Sequence, residues 1–464
     1  MGKASAIYLY GPPASGKTTL GARLARALRR DFIDLDAEIE RRTGRHIPDI
    51  FRDDGEAAFR AIEASTLRDV AAGQGGSAIV ALGGGTLLDP ANRALAESSG
   101  RVWRLEPPSP EELARRIALR PGSRPLGDKS RERAVHYASF PRAIAATFDL
   151  DDSLVVIGSG VGTLCGFAKM AVADATASSL HPSALADIPT FNIPSGEDKK
   201  RIETVCSIWN ACHGNAVTRR DRILAFGGGV TGDMTGFAAA TWMRGIDWIN
   251  VPTTLLSMVD ASTGGKTGFD LQEGKNLVGA FHPPALVLID TDYLSTLPPR
   301  ELASGQAEMI KHEIISGKLR PSVAGIPTAG EIAANLAVKV DVVRQDPHET
   351  KGMRMLLNCG HTIGHAIEAA SGYALSHGEA VAIGCVEEAR IAVRLGLASA
   401  DWPETLAARF SAASLPVAAP QFDRATVAAF MAADKKRDGD GIVFALPCGW
   451  GDVRRVTLRL GEIA

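Results

Sequence analysis

Residues 6–28 read Ala6-Ile-Tyr-Leu-Tyr10, then Gly11-Pro-Pro-Ala-Ser-Gly16-Lys17-Thr18-Thr19, then an amphipathic run to Leu28. Five apolar residues make a buried strand, a glycine loop leaves its end, and a helix follows. In a GxxxxGK[ST] loop placed this way, backbone N–H groups of the loop and helix N-terminus surround phosphate oxygens. Lys17 then reaches the terminal phosphates and Thr18 holds Mg²⁺. Gly11, Gly16, Lys17, Thr18 and Thr19 are therefore expected to bind ATP with magnesium. Working outward, residues 79–82 and 102–105 are further short apolar strands with helical segments between them, the alternation of a parallel α/β sheet. The acidic, turn-like stretch 149–153 precedes a new strand at 154–158, which places a domain boundary near residue 150.

Strand and helix alternate again from 154 to about 290, with strands expected at 170–173, 223–226, 248–251 and 286–289. From about 291 the pattern turns helical, with amphipathic runs at 301–316, 330–345, 355–370 and 378–396, and a hairpin at 441–458 closes the chain. Three units are expected: a P-loop α/β domain (1–150), a Rossmann-like α/β domain (151–290) and a mainly α-helical, metal- and substrate-binding domain (291–464). At 464 residues the chain is too long for a single core. A formal net charge of −2 gives no general reason to bind nucleic acid or an anionic membrane, so local Lys and Arg clusters are read as ligand sites. The six cysteines form no CxxC pair, which argues against a disulfide framework and suits a reducing, cytoplasmic setting. No signal peptide is expected before the strand at residue 6, and no apolar stretch is long enough to span a bilayer.

The glycine loop alone says only nucleoside triphosphate; the acceptor must come from elsewhere. Phe32-Ile-Asp34-Leu-Asp36 places two carboxylates on one face of a strand end, one for a metal and one for a hydroxyl-bearing acceptor. Arg60 suits bidentate capture of a carboxylate, and Gly83-Gly84-Gly85 offers bare backbone to a small ligand. In this order, together with Arg124-Pro-Leu126, Arg133 and Tyr137, these stretches resemble shikimate kinase. The resemblance implies that Asp36, Arg60, Gly83, Gly84, Gly85 and Arg133 hold shikimate, that Asp34 lies near the metal, and that Lys17, Asp36 and the lid residue Arg124 serve catalysis. Only residues 127–132 separate Leu126 from Arg133, a lid shorter than that family's, so turnover is expected to suffer more than binding.

The second half carries a different chemistry. Gly227-Gly228-Gly229-Val-Thr-Gly-Asp233 follows a strand, and Arg244, Lys266 and Lys275 sit in glycine-rich loops with Asn276, which suits a phosphorylated polyhydroxy substrate. Glu308 falls on a helix, His361 and His365 are four apart on a helical face, and His377 opens the next helix. Two histidines and a carboxylate make a common catalytic metal set, and the spacing is not HExxH. Together with Ser195-Gly-Glu197-Asp-Lys-Lys200 and Asp174, these stretches resemble 3-dehydroquinate synthase.

That resemblance implies a zinc or cobalt ion on Glu308, His361 and His377. It implies NAD contacts from Asp174, Glu197, Lys200, Gly228, Gly229, Asp233, Thr253, Thr254 and Lys275. Lys266, Asn276, Asn358 and a lysine of the 435–436 pair would take the substrate phosphate, with Arg244 reaching in from the second subunit of a homodimer. Lys339 and Arg354 would hold the carboxylate, Lys311 a ring hydroxyl, with Asp260 in the substrate set and His365 assisting proton transfer. A trimmed stretch between Lys311 and Lys339 predicts Lys339 displaced by a turn. The sequence thus points to a bifunctional enzyme of aromatic biosynthesis, acting on shikimate with ATP and on a heptulosonate phosphate with NAD. The alternative is a sugar-phosphate cyclase whose first module only binds nucleotide.

Overall fold

The computed structural model describes residues 6–463 except 74–76, 107–114, 116–131, 151, 166–167, 273, 373, 420–436 and 439–440. Arg124 and the 435–436 lysines therefore lie outside the described residues. Eleven strands form one sheet. They are β1 (Ala6–Tyr10), β2 (Phe32–Asp34), β3 (Ile79–Ala81), β4 (Gly100–Leu105), β5 (Ala143–Asp149), β6 (Leu154–Ser159), β7 (Met170–Asp174), β8 (Thr190–Ile193), β9 (Arg222–Gly227) and β10 (Asp247–Pro252), joined, after the hairpin β11 (Lys266–Leu271) and β12 (Gly274–Phe281), by β13 (Leu286–Asp290). Their order across the sheet is β2-β3-β1-β4-β5-β6-β13-β10-β9-β7-β8.

Within each half the neighbours are parallel, which requires crossovers and buries both faces. The strands accordingly read as continuous apolar runs such as Leu286-Val-Leu-Ile. The exception is the seam. β5 pairs parallel with β4 and antiparallel with β6, from Ala143 opposite Ser159 to Asp149 opposite Leu154. The expected boundary near residue 150 thus falls in the turn between two paired strands, where Leu150 and Ser153 exchange backbone hydrogen bonds. The buried core crosses the seam with the sheet, running from Ile7, Leu9 and Leu24 through Val155 and Ile157 to Ile249 and Leu288. An antiparallel seam between two parallel halves also means that the halves run in opposite directions.

Beyond β13 the chain is helical, at Pro299–Ser316, Ala329–Gln345, His361–Ala370 and His377–Arg394, and the antiparallel pair Gly441–Gly449 and Asp452–Leu458 packs on the last of these helices. Three expectations need correction. The run 355–370 is two elements, because Gly360 takes φ +75° between a 3₁₀ turn (Met353–Asn358) and the helix that starts at His361; a Cβ there would meet Cys385 Sγ at 2.3 Å. Lys266 and Lys275 lie on β11 and β12 rather than in loops. Asp36 is not on a strand: β2 stops at Asp34, which caps the helix Leu35–Thr43, because its carboxylate satisfies the free N–H groups of Asp36 and Ala37. Among the described residues no helix is long and apolar enough to cross a membrane.

Candidate active sites

At the C-terminal end of β1 the loop 11–18 leads into the helix Lys17–Leu28. Lys17 Nζ donates to the carbonyls of Gly11 (2.9 Å) and Pro12 (2.8 Å), so the ammonium sits inside the loop it serves. Thr18 Oγ1 donates to Asp34 Oδ2 at 2.7 Å, which joins the two residues expected at magnesium. Thr19 is exposed in the first helical turn.

The acceptor side converges on the glycines. A Cβ on Gly85 would lie 2.9 Å from Arg60 Nη2 and 3.2 Å from Arg133 Nη1, and one on Gly83 would lie 3.1 Å from Asp36 Oδ1. Tyr137 donates to the Gly84 carbonyl at 2.7 Å. Side chains at 83–85 would fill the space these groups share, and the cleft next to it encloses about 300 Å³. Asp36 is exposed, yet the protein packed around its carboxyl and the nearby Asp34 and Glu63 carboxylates disfavour its charge, so the carboxyl is pushed up to about 6. Glu63 was not foreseen from sequence. It is buried, accepts from Arg60 Nη1 (2.7 Å) and Thr86 Oγ1 (2.7 Å), and fixes the guanidinium toward Gly85. Its spacing three residues after Arg60 on a helix was the available signal.

In the second half the site begins at the C-terminal end of β9. A Cβ on Gly227 would meet Thr231 Oγ1 at 2.6 Å and Asp174 Cβ at 2.9 Å, while Gly228 packs against Thr254. The helix Gly229–Thr241 starts here with no side chain on its N-terminal N–H groups, the arrangement that receives a pyrophosphate. Thr253 is pinned by its N–H to the Gly227 carbonyl (2.9 Å), and Asp174 caps the helix after β7. The buried Lys200 donates to Asp233 (2.7 Å) and to Asn276 Oδ1 (2.8 Å). Burial opposes its charge, but Asp233 and Glu197 more than offset that and hold it protonated. Lys275 bridges Glu197 and Glu368, 3.0 Å from each. Bare backbone, an open helix N-terminus and a ring of fixed donors fit a dinucleotide.

The metal set assembles from three helices. His361 Nε2 and His377 Nε2 lie 3.5 and 3.3 Å from the same oxygen, Oε1 of the fully buried Glu308. All three ligand atoms fall within 4.8 Å of one another. The far nitrogens are occupied: His361 Nδ1 bonds the Cys359 carbonyl at 3.0 Å, and His377 Nδ1 stands 3.7 Å from Glu368 Oε2. This leaves both Nε2 lone pairs directed inward, so the residues fit a divalent cation of the zinc class. Without one, burial opposes the charge on His377, but Glu308 and Glu368 raise it to about 10. The His365 ring centroid is 5.1 Å from that of His361.

Beside the metal set, Lys311 is buried against Glu308 and lies 3.4 Å from Asp260. Lys339 pairs with the other oxygen of Asp260. The predicted one-turn displacement of Lys339 is therefore wrong, because the capping box of Thr328 and Glu331 restarts the helix in a register that brings it in. Asp260 is half-buried, and although desolvation opposes its charge it is held well below the usual carboxylate range by the two lysines. Arg354 is buried and donates to the carbonyls of Pro347 and Gly264, and its Nε has no partner among the described residues. Asn358 is half-buried at the end of its 3₁₀ turn. Two expected residues make none of these contacts. Lys266 pairs with Glu349 at 2.6 Å with its side chain more than half exposed, and Arg244 is exposed with φ +66° next to Met243 with φ +48°.

Residues 13–145 match the family model for shikimate kinase, residues 190–304 that for the 3-dehydroquinate synthase N-terminal domain and residues 305–437 that for its C-terminal domain. Fold and sites thus define an enzyme with a kinase module ahead of a dinucleotide- and metal-type synthase module. The 3-dehydroquinate synthase of Thermosynechococcus vestitus is 44% identical over 274 residues, 56% of this chain and 74% of that one. The chain belongs to the 3-dehydroquinate synthase family. Among solved structures, 2-deoxy-scyllo-inosose synthase complexed with carbaglucose-6-phosphate, NAD⁺ and Co²⁺ aligns with TM-score 0.62 at 26% identity, covering 68% of this chain and 98% of that one. The 2-epi-5-epi-valiolone synthase of Streptomyces hygroscopicus, with NAD⁺ and Zn²⁺ bound, aligns with TM-score 0.60 at 28% identity, covering 69% and 96%.

Proposed function

We propose that the chain is a bifunctional shikimate-pathway enzyme that phosphorylates shikimate with Mg-ATP and converts 3-deoxy-D-arabino-heptulosonate 7-phosphate to 3-dehydroquinate and phosphate. In the first module, Lys17 leaves the loop carbonyls for the terminal phosphates while the loop N–H groups hold the rest. Arg60 and Arg133 take the acceptor's carboxylate beside Gly85. Asp36 orients its hydroxyl and accepts the proton as the phosphoryl group transfers.

In the second module, when bound, NAD⁺ would take up and return a hydride and the divalent metal would polarise the reacting oxygen. Asp174, Glu197, Lys200, Gly228, Gly229, Asp233, Thr253, Thr254 and Lys275 would hold the dinucleotide, and Glu308, His361 and His377 the metal. Lys339 and Arg354 exchange Asp260 and backbone carbonyls for the substrate carboxylate, and Lys311 reaches a ring hydroxyl. Lys266, Asn276 and Asn358 collect the phosphate, and His365 moves a proton next to the metal set. The exposed, left-handed Met243-Arg244 supports a homodimer in which Arg244 completes the site of a second copy. A cytoplasmic location goes with this pathway reading.

The observation that carries the synthase reading is the convergence of two imidazole Nε2 atoms on one buried Glu308 oxygen, next to Lys311. Both activities are measured on one preparation: shikimate-dependent ADP formation, and phosphate release with NAD⁺ and Zn²⁺. Lys17→Ala is expected to abolish only the first and His361→Ala only the second. No ADP formation with phosphate release intact reduces the first module to a nucleotide-binding appendage. Loss of both activities in either variant, with the fold preserved, refutes two independent sites.

A further inference from the structure

Glu368 has no part in the assignments above, yet it stands between the metal set and the dinucleotide loop. It lies on the helix His361–Ala370, is buried, and uses its two oxygens in two directions. Oε1 is 3.0 Å from Lys275 Nζ, and Oε2 is 3.7 Å from His377 Nδ1, the nitrogen opposite the one that faces Glu308. Lys275 in turn reaches Glu197 at 3.0 Å. One unbroken line of charged groups therefore runs Glu197, Lys275, Glu368, His377, Glu308. A carboxylate behind a ligating imidazole fixes ring orientation and tautomer and raises ligand basicity.

We infer that Glu368 is a positioning residue that holds His377 for the metal and, through the same carboxylate, ties the metal to Lys275 on the cofactor side. The inference rests on the metal reading given above. A second geometry competes, since His365, Glu368 and His377 also offer ligand atoms within 4.8 Å of one another, which would make Glu368 a ligand itself. The two nitrogens of His377 speak for the outer role, because Nε2 faces Glu308 Oε1 with the other metal residues while Glu368 Oε2 stands behind the ring at Nδ1.

The test is Co²⁺ affinity of the full-length chain by competition with a chromophoric chelator, read with the absorption spectrum of bound cobalt. Glu368→Gln is expected to weaken Co²⁺ roughly 10- to 100-fold while leaving the cobalt spectrum unchanged. It should also weaken NAD⁺ in the metal-loaded protein, measured by fluorescence titration. Unchanged Co²⁺ affinity overturns the inference, and so does a changed spectrum, which would make Glu368 a ligand. Should Glu368→Gln fail to fold, Glu368→Asp keeps the charge and retracts the carboxylate from His377. The same loss of affinity is expected there, and full affinity overturns the inference. A wild-type chain that binds no Co²⁺ refutes the metal reading itself, a separate outcome.

Discussion

Gly158→Ala puts a methyl group into the seam between the two halves of the sheet. The new Cβ would stand 1.9 Å from the Ala143 carbonyl oxygen, a backbone atom of β5 that no rotamer change can move. Restoring a tolerable contact requires β5 and β6 to part by more than about 1 Å, which stretches ladder bonds past the range in which N–H···O bonds hold. Losing two or three such bonds at about 1 kcal/mol each agrees with the ~1–3 kcal/mol typical of overpacking, so a destabilisation of about 2–3 kcal/mol is expected. At ~2 °C per kcal/mol for a unit of this size, the melting temperature should drop by about 5 °C. Because core and sheet are continuous across the seam, the whole α/β part should melt as one unit. Scanning calorimetry with and without Mg-ATP, and separately NAD⁺, reads this directly, since a ligand on either side should raise the same transition. Two resolved transitions, each answering to its own ligand, would refute the shared-strand reasoning. So would an unshifted melt in the variant.

Two further outcomes follow from Glu388 and Asp36. Glu388 is fully buried and accepts from the backbone N–H groups of Gly360 (2.8 Å), Thr362 (3.0 Å) and Ile363 (3.1 Å), at the helix N-terminus that carries His361. Glu388→Ala strands those donors, so denaturant unfolding should show a loss of about 3 kcal/mol and chelators should strip the metal faster. Asp36 accepts a proton only when ionised, and its carboxyl is raised to about 6 by the cleft and by Asp34 and Glu63, against the opposing charge of Lys17. Shikimate-dependent kcat/KM should therefore rise with pH through about 6 and level off above it. An acid limb at the ordinary carboxylate value near 4 would remove Asp36 from the proton transfer.

Local chemistry made much of this legible in the sequence. A glycine loop between an apolar strand and a helix, and two histidines with a carboxylate on helices, are patterns whose spacing already encodes geometry, and Thr18–Asp34 and Glu308–His361–His377 meet as that spacing implies. What escaped depends on non-local pairing. β11 and β12 carry glycines and lysines because one face lies along the cofactor side, so they read as loops until their antiparallel register is seen. Glu63, Glu368 and Glu388 are acidic residues in helices, indistinguishable from solvated ones until the fold buries them against Arg60, His377 and the Gly360 turn. Lys339 was misplaced because counting residues across a trimmed loop says nothing of where a capping box restarts the helix.

The seam also explains why two such sites can coexist without interfering. A parallel sheet ends in edge strands that expose unpaired backbone groups, and each half here would end in one, β5 or β6. Pairing the two covers both edges, and antiparallel pairing needs only the short connection closed by the Leu150–Ser153 hydrogen bonds, with no crossover helix. The side-chain bridge Arg29–Asp247 across the join is an exposed pair that adds little, so the ladder and the common core hold the union. The antiparallel step then fixes the placement of function. Ligands of parallel α/β sheets collect at the carboxyl ends of the strands, and the carboxyl ends of β1 and β9 point in opposite directions. The phosphate loop at Gly11–Thr18 and the glycine turn at Gly227–Gly229 consequently open at opposite ends of one rigid sheet. That geometry provides no path for passing an intermediate between them. It suits two steps that share no intermediate, and it makes the thermal stability of one half the stability of the other.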